Sequence, residues 1–181
     1  MNKAVEQWLK TYYLTRAGFA IAWVLAALAA APHSPSAAIL LVAYPVWDAL
    51  ANLADILRSG GFAANRPQAL NVVVSLAVAT AVGFGLDDMH HVLAVFGAWA
   101  ILSGVLQLAA GLRRWKAFGA QWAMILSGAQ SALAGAVFIM QAGAAAEPTV
   151  ATIAGYAGFG AFYFLLSGLT LLVRGMRRKA A

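Results

Sequence analysis

Residues 91–118 read HVLAVFGAWAILSGVLQLAAGLRRWKAF, and this stretch decides the fold. From His91 to Leu112 it holds apolar and small residues, with Ser103 and Gln107 the polar exceptions inside the run. A helix of about 20 such residues crosses the ~30 Å of bilayer hydrocarbon. The run is too long and too rich in Ala, Leu and Gly for a strand. Arg113, Arg114 and Lys116 then stop it, and apolar sequence resumes at Phe118. Cationic side chains resist transfer across a membrane, so such a knot marks the cytoplasmic end of a span.

The same punctuation recurs along the chain. Lys3, Lys10 and Arg16 stand at the start of the first apolar stretch. Arg58 and Arg66 flank a later junction, and Arg174, Arg177, Arg178 and Lys179 close the sequence. All twelve Lys and Arg fall on one side of a six-span reading. The other side holds His33, the run Asp87-Asp88-Met89-His90-His91, and Glu147. The partition predicts an all-α, polytopic membrane protein with both termini cytoplasmic. The spans fall near residues 14–31, 37–57, 68–86, 91–112, 118–141 and 149–173. Short connections predict three antiparallel hairpins over 14–57, 68–112 and 118–173, within one domain covering 1–181. Ahead of the first span, Val5, Trp8, Leu9, Tyr12 and Tyr13 follow helical spacing, which predicts a short amphipathic helix lying on the interface.

Composition points the same way. Hydrophobic residues make up 63% of the 181, charged residues only 10%, and mean hydropathy is +0.79. A soluble domain carries about 25% charged residues. The net charge of +6 would suggest nucleic acid in a soluble protein. With the basic residues at span ends, the expected partners are the bilayer and its anionic cytoplasmic headgroups. The chain has no cysteine, which excludes disulfides and thiolate metal sites. No cofactor is expected. Hydrolase, zinc-protease, phosphate-loop and dinucleotide motifs are absent from the sequence, so the expected protein is not an enzyme.

Leu-Ser-Gly recurs at 102–104, 126–128 and 166–168, each time with a further glycine seven residues on, at Gly111, Gly135 and Gly175. Seven residues return to nearly the same helix face, where small residues let backbones approach closely. Gly104, Gly111, Gly128, Gly135 and Gly168 are therefore expected at helix contacts. Phe96 to Leu108, closing on Leu112-Arg113-Arg114, resembles the short hairpin repeat of the HdeD acid-resistance membrane protein family. Gly119 to Gly128 and Gly155 to Gly168 resemble the next repeat. The resemblance covers the chain from about Tyr44 onward as two-helix repeats. It implies a bacterial inner-membrane protein supporting survival in acid, and it supplies no catalytic residue. Tyr44-Pro45-Val46-Trp47-Asp48 departs from the apolar repeat.

That departure holds the strongest chemical signal. Tyr44, Asp48, Asn52 and Asp55 share one helix face. A charged group deep in a bilayer costs at least about 3 kcal/mol, so a retained one invites a functional reading. Asp55 lies within a turn of the cytoplasmic end, where Arg58 or Arg16 is expected to pair with it. Asp48 lies about ten residues, or ~15 Å at 1.5 Å per residue, from that same end. At that level no Lys or Arg is expected to reach it. It is then either a neutral acid or one held by donors such as Asn52, Asn71, Ser75 or Gln130. Pro45 frees a backbone carbonyl in the turn before it.

The outer run of Asp87, Asp88, His90 and His91 reads as a cap for the fourth span through Asp87 or Asp88. It also reads as a pH-sensing loop, because imidazole changes charge near neutral pH. Adjacent histidines without a third fixed ligand do not make a metal site, and none is expected. His33, between two prolines, reads as a turn residue. Trp8, Trp115 and Trp122 are expected at interfaces, Trp47 and Trp99 in packing.

Two functional readings follow. One is a non-enzymatic protein of the HdeD type serving acid or envelope stress tolerance. The other is a small proton- or cation-linked transporter or channel using Asp48 and Asn52. A bundle of this length is small for an alternating-access machine, so the second reading brings a homo-oligomer with it. A solvated cavity that reaches Asp48 and opens to one face would support the second, and a dry, tightly packed core the first.

Overall fold

The computed structural model describes residues 3–114 and 122–180. Trp115, Lys116 and the Gly119–Gln121 part of the repeat lie outside the described residues, as do the surroundings of Gly111, Arg113, Arg114 and Trp122. Seven helices follow one another: α1 (Lys3–Ala29), α2 (Pro35–Arg58), α3 (Gly61–Ala64), α4 (Arg66–Phe84), α5 (Met89–Arg114), α6 (Trp122–Ala142) and α7 (Val150–Ala180). All but α3 are long and apolar enough to cross a membrane. The chain is thus an all-helical, six-span membrane protein among the described residues.

Local chemistry sets the helix ends. Ser34 caps α2 by accepting from the Ala37 amide at 3.2 Å, and Pro35 occupies the first turn. His33 takes φ +57° in the turn ahead of it. Asp88 caps α5: its Oδ1 accepts from the amides of His90 at 2.9 Å and His91 at 3.2 Å. Each side chain satisfies amides that the first helical turn leaves without partners.

The structure changes three expectations. The amphipathic segment at Val5–Tyr13 is no separate interfacial helix, because α1 runs unbroken from Lys3 to Ala29. No proline interrupts it, and its aromatic stripe packs inward: Tyr13 stacks on Phe164 of α7 at 6.3 Å. The junction between Arg58 and Arg66, expected only as a short connection, carries the single helical turn α3. Finally, the tightest helix pairs are α5 with α6, α1 with α7 and α2 with α4. The hairpins drawn at 14–57, 68–112 and 118–173 are therefore not the closest pairs.

Glycine explains the α5–α6 pair. A Cβ built on Gly104 would sit 2.5 Å from the Gly128 carbonyl oxygen, and one on Gly135 would sit 2.5 Å from that of Gly97. Gly97 with Gly135 and Gly104 with Gly128 thus form two antiparallel rungs where backbone meets backbone. Gly97 was not singled out by the Leu-Ser-Gly repeat, although it precedes Gly104 by the same seven residues. Gly168 gives close approach elsewhere, against Leu14 of α1.

The apolar core sits toward the end away from the cationic residues. Leu41, Val82, Leu93, Phe96 and Ile153 are fully buried there, beside Trp23. The half nearer the cationic end is built differently.

Candidate functional site

α1 and α2 face each other through a ladder of polar contacts. The Trp8 indole donates to Asp55 Oδ1 at 3.0 Å, Arg16 pairs with Asp48, and the Trp23 indole donates to the Leu40 carbonyl at 2.8 Å. The register follows from the turn. Arg16 lies sixteen residues before Pro32 and Asp48 sixteen after it, and the other two rungs reflect about nearly the same point. The Leu40 carbonyl is one residue before the one that Pro45, lacking an N–H, leaves free in α2.

Asp48 is saturated. Its Oδ1 takes the Arg16 guanidinium, and its Oδ2 accepts from Asn71 Nδ2 at 2.7 Å, Ser75 Oγ at 2.8 Å and Asn52 Nδ2 at 3.1 Å. Asn52 also donates to the Asp48 carbonyl at 2.8 Å. Three of the four expected donors therefore meet on this carboxylate. Gln130 does not: it accepts from the Tyr163 hydroxyl at 2.8 Å. A buried ion pair offsets its desolvation only when geometry is good and the remaining lone pairs are bonded. Here both partners have side chains only 12% exposed, and the carboxylate has four side-chain donors.

The expectation that no cation reaches Asp48 is overturned by Arg16. Because α1 begins at Lys3, Arg16 stands well inside the helix, level with Asp48 and not with Asp55. Its Nη1 donates to the Tyr12 hydroxyl at 2.9 Å, and its guanidinium lies 4.3 Å over the Phe164 ring. A planar guanidinium suits such a site, since it stacks on an aromatic face while its edge binds a carboxylate. Its Nε finds no acceptor among the described residues.

The ion pair expected at Asp55 is likewise replaced. Asp55 is buried and accepts from Trp8 and, at 3.1 Å, from Ser59 Oγ. Arg58 lies over the Trp8 ring at 4.8 Å instead. Trp8 is therefore a ligand of the acid as well as a residue near the helix start.

The pair borders a cavity of about 430 Å³ to which all six long helices contribute. Ser103, Gln107, Ser127, Gln130, Ser131 and Tyr163 give it a polar lining beyond the ion pair. It extends to Leu9, Pro67 and Gln107, toward the cation-rich helix ends. Aromatic rings close the other way. Tyr44 meets Trp23 at 4.8 Å and Trp99 edge-on at 5.9 Å, while Trp47 stacks on Phe19 at 4.3 Å. Tyr44 thus belongs to this aromatic roof and is not bonded to Asp48. The Trp99 indole N–H is buried without an acceptor among the described residues. Beyond the roof lies the apolar core.

The loop residues at the far end do not converge into one site. Asp88 is used as the α5 cap, His90 Nδ1 meets the Ala142 carbonyl at 3.1 Å, and His91 packs against Gly85. Asp87 is exposed. His33 is more than a turn residue, since its Nε2 lies 3.0 Å from Glu147 Oε1 across two loops. Among the described residues no three His, Asp or Glu side chains are placed to hold a metal ion.

Six apolar helices around a partly polar cavity that borders a buried ion pair define a polytopic helical membrane protein with an internal candidate site. Residues 90–140 match the family described as a short repeat of unknown function (DUF308). That match takes in α5, α6 and their glycine rungs, and leaves Arg16, Asp48 and Asn71 outside it. No curated protein and no solved structure matches the chain.

Arg16 is the residue of the candidate site that the sequence reading set opposite the wrong carboxylate, and the signal for its place was present. Folding the chain about Pro32 superposes residue 16 on residue 48.

Proposed function

We propose that this is a non-enzymatic inner-membrane protein of the HdeD type that admits a small solute to the central cavity from the cytoplasmic, cation-rich side. Acid or envelope stress tolerance in a bacterium is the cellular role we assign to it. The observation that carries the solute-admitting part of this reading is the cavity reaching the Arg16–Asp48 pair, a feature expected of the transporter alternative. The saturated Asp48 is what turns it toward a site without proton coupling. A purely structural bundle gains nothing from a partly polar space of this size beside its most costly buried charges. The short-repeat match supports the membrane class, and the HdeD assignment rests on the residues that resemble that family.

Proton-linked transport through Asp48 and Asn52 is the second reading, favoured by Asp48 itself lining the cavity. The four donors weigh against it. Taking up a proton at Asp48 would leave Arg16 charged, buried and unpaired, so we assign Asp48 as the fixed counter-ion of Arg16.

The chain's lack of cysteine makes the test direct. Ser103→Cys, on the cavity wall, is expected to react with a membrane-impermeant thiol reagent in inverted vesicles and not in intact spheroplasts. Reaction from neither side, or from the outer side alone, overturns the reading. Ser127→Trp, which fills the cavity, is expected to abolish any survival advantage that the wild-type protein confers on dense cultures in acid. Full protection by a folded Ser127→Trp protein removes the cavity from the function.

A further inference from the structure

α6 and α7 are neighbours in sequence yet are loosely packed against each other. Two polar contacts bridge them: Tyr163 to Gln130 at 2.8 Å, and the Tyr156 hydroxyl with Ser131 Oγ at 3.0 Å. The Tyr156 ring also meets Phe138 edge-on at 5.9 Å. Alongside these contacts a second cavity opens on the flank of the bundle, lined by Gln130, Gly155, Gly158, Phe159, Phe162 and Tyr163. Gln130, Phe159 and Tyr163 also line the central cavity. The two spaces are therefore neighbours, and the hydrogen-bonded Tyr163 and Gln130 stand between them.

Depth decides what lies outside this opening. α7 begins at Val150, so Gly155 to Tyr163 lie about 8–20 Å along the helix at 1.5 Å per residue. In a hydrocarbon layer of ~30 Å that is within the bilayer and away from both surfaces. Water-soluble solutes do not reach such a flank, whereas acyl chains surround it. Its wall suits a chain: Phe159 and Phe162 are more than half exposed, and a Cβ added to Gly155 or Gly158 would meet nothing within 4 Å. The polar groups are confined to the inner edge, where Gln130 and Tyr163 stand.

We propose that this flank is a lateral portal through which a single-chain amphiphile with an oxygen-bearing head, such as a fatty acid, enters from the bilayer. The head sits in the central cavity, exchanging the Tyr163–Gln130 bond for bonds to its own oxygens. The chain stays on Gly155, Gly158, Phe159 and Phe162. The proposal goes beyond the solute-site reading by adding a ligand class and a second, lateral route, and it rests on that reading only in taking the central cavity as a binding site.

The test uses the full chain in detergent, with a dansyl-labelled undecanoic acid as probe and energy transfer from tryptophan as readout, since Trp47 and Trp99 line the central cavity. Wild type is expected to show saturable transfer, and dansylamide, which lacks the chain, none. Gly155→Leu/Gly158→Leu fills the portal at positions with room for side chains. It is expected to weaken binding about tenfold, the loss of about two buried methylenes. Labelling of Ser103→Cys from the cytoplasmic side is expected to persist in that background. Tyr163→Phe, which removes the latch, is expected to speed association. Unchanged probe affinity in Gly155→Leu/Gly158→Leu overturns the portal. Failure of Ser103→Cys labelling with normal probe binding overturns the cytoplasmic solute route and supports access from the lipid.

Discussion

The α1–α2 and α5–α6 pairs are both antiparallel, and they are held together by opposite means. Between α5 and α6 the side chains are removed: Gly97, Gly104, Gly128 and Gly135 bring backbones within touching distance. Between α1 and α2 the side chains are the connection, through Trp8 to Asp55, Arg16 to Asp48 and Trp23 to Leu40. Lipid chains are as apolar as leucine, so helices in a membrane associate by close packing or by polar bonds. The chain uses one solution in each pair. The short-repeat match falls on the glycine pair, while the candidate chemistry falls on the polar one. The glycine packing lies within the matched repeat, while the ion pair lies outside it, facing cavity residues such as Ser103 and Gln130 that the repeat contributes.

The contrast can be broken most severely at the ion pair. Asp48→Ala leaves Arg16 as an uncompensated buried charge, with an expected cost of about 3–5 kcal/mol. Unfolding in mixed detergent micelles should register it, and Arg16→Met/Asp48→Asn should recover most of the loss. No recovery in the double variant would mean that the charges do not act as a pair. Next comes the glycine pair. Gly104→Leu places a side chain where the Gly128 carbonyl stands, and should cost about 3 kcal/mol by overpacking without altering the Arg16 site. The same substitution at Gly158, which has open space, should cost little. Equal losses at both positions would dissolve the distinction between packed and open glycines.

Smaller effects sharpen it. Trp8→Phe keeps the ring under Arg58 but removes the donor to buried Asp55, for an expected loss of about 1.5 kcal/mol. Ser131→Ala removes bonds to the Ala100 carbonyl and the Tyr156 hydroxyl. Interhelical bonds of this kind contribute about 0.6 kcal/mol in a membrane, so a loss near that size is expected in the same unfolding assay. A much larger loss at Ser131 would show that α5 and α6 also depend on polar bonds.

The spans were legible because hydrocarbon thickness and cation placement are one-dimensional constraints, written directly in residues such as Arg113 and Arg114. The donors Asn52, Asn71 and Ser75 were legible for a related reason, being the polar side chains at the depth of Asp48. Arg16 was misplaced because cations were assigned to the membrane surface as a class. A long guanidinium side chain with a carboxylate opposite is an exception that only a helix register reveals. That register was written in the turn at Pro32 and went unused. The α1–α7 and α2–α4 pairs were not legible, since an apolar face in lipid does not state which neighbour it meets. Gln130 was placed at the right depth and given the wrong partner for the same reason.

One rod connects three environments in this molecule. On α1, Trp8 grips Asp55 near the basic end, Arg16 stands at the cavity, and Trp23 is anchored in the apolar half. An unbroken helix without proline transmits a tilt along its length. An occupant that displaced Arg16 would therefore also displace the segment that carries Trp8, and would make occupancy of the interior readable at the membrane surface.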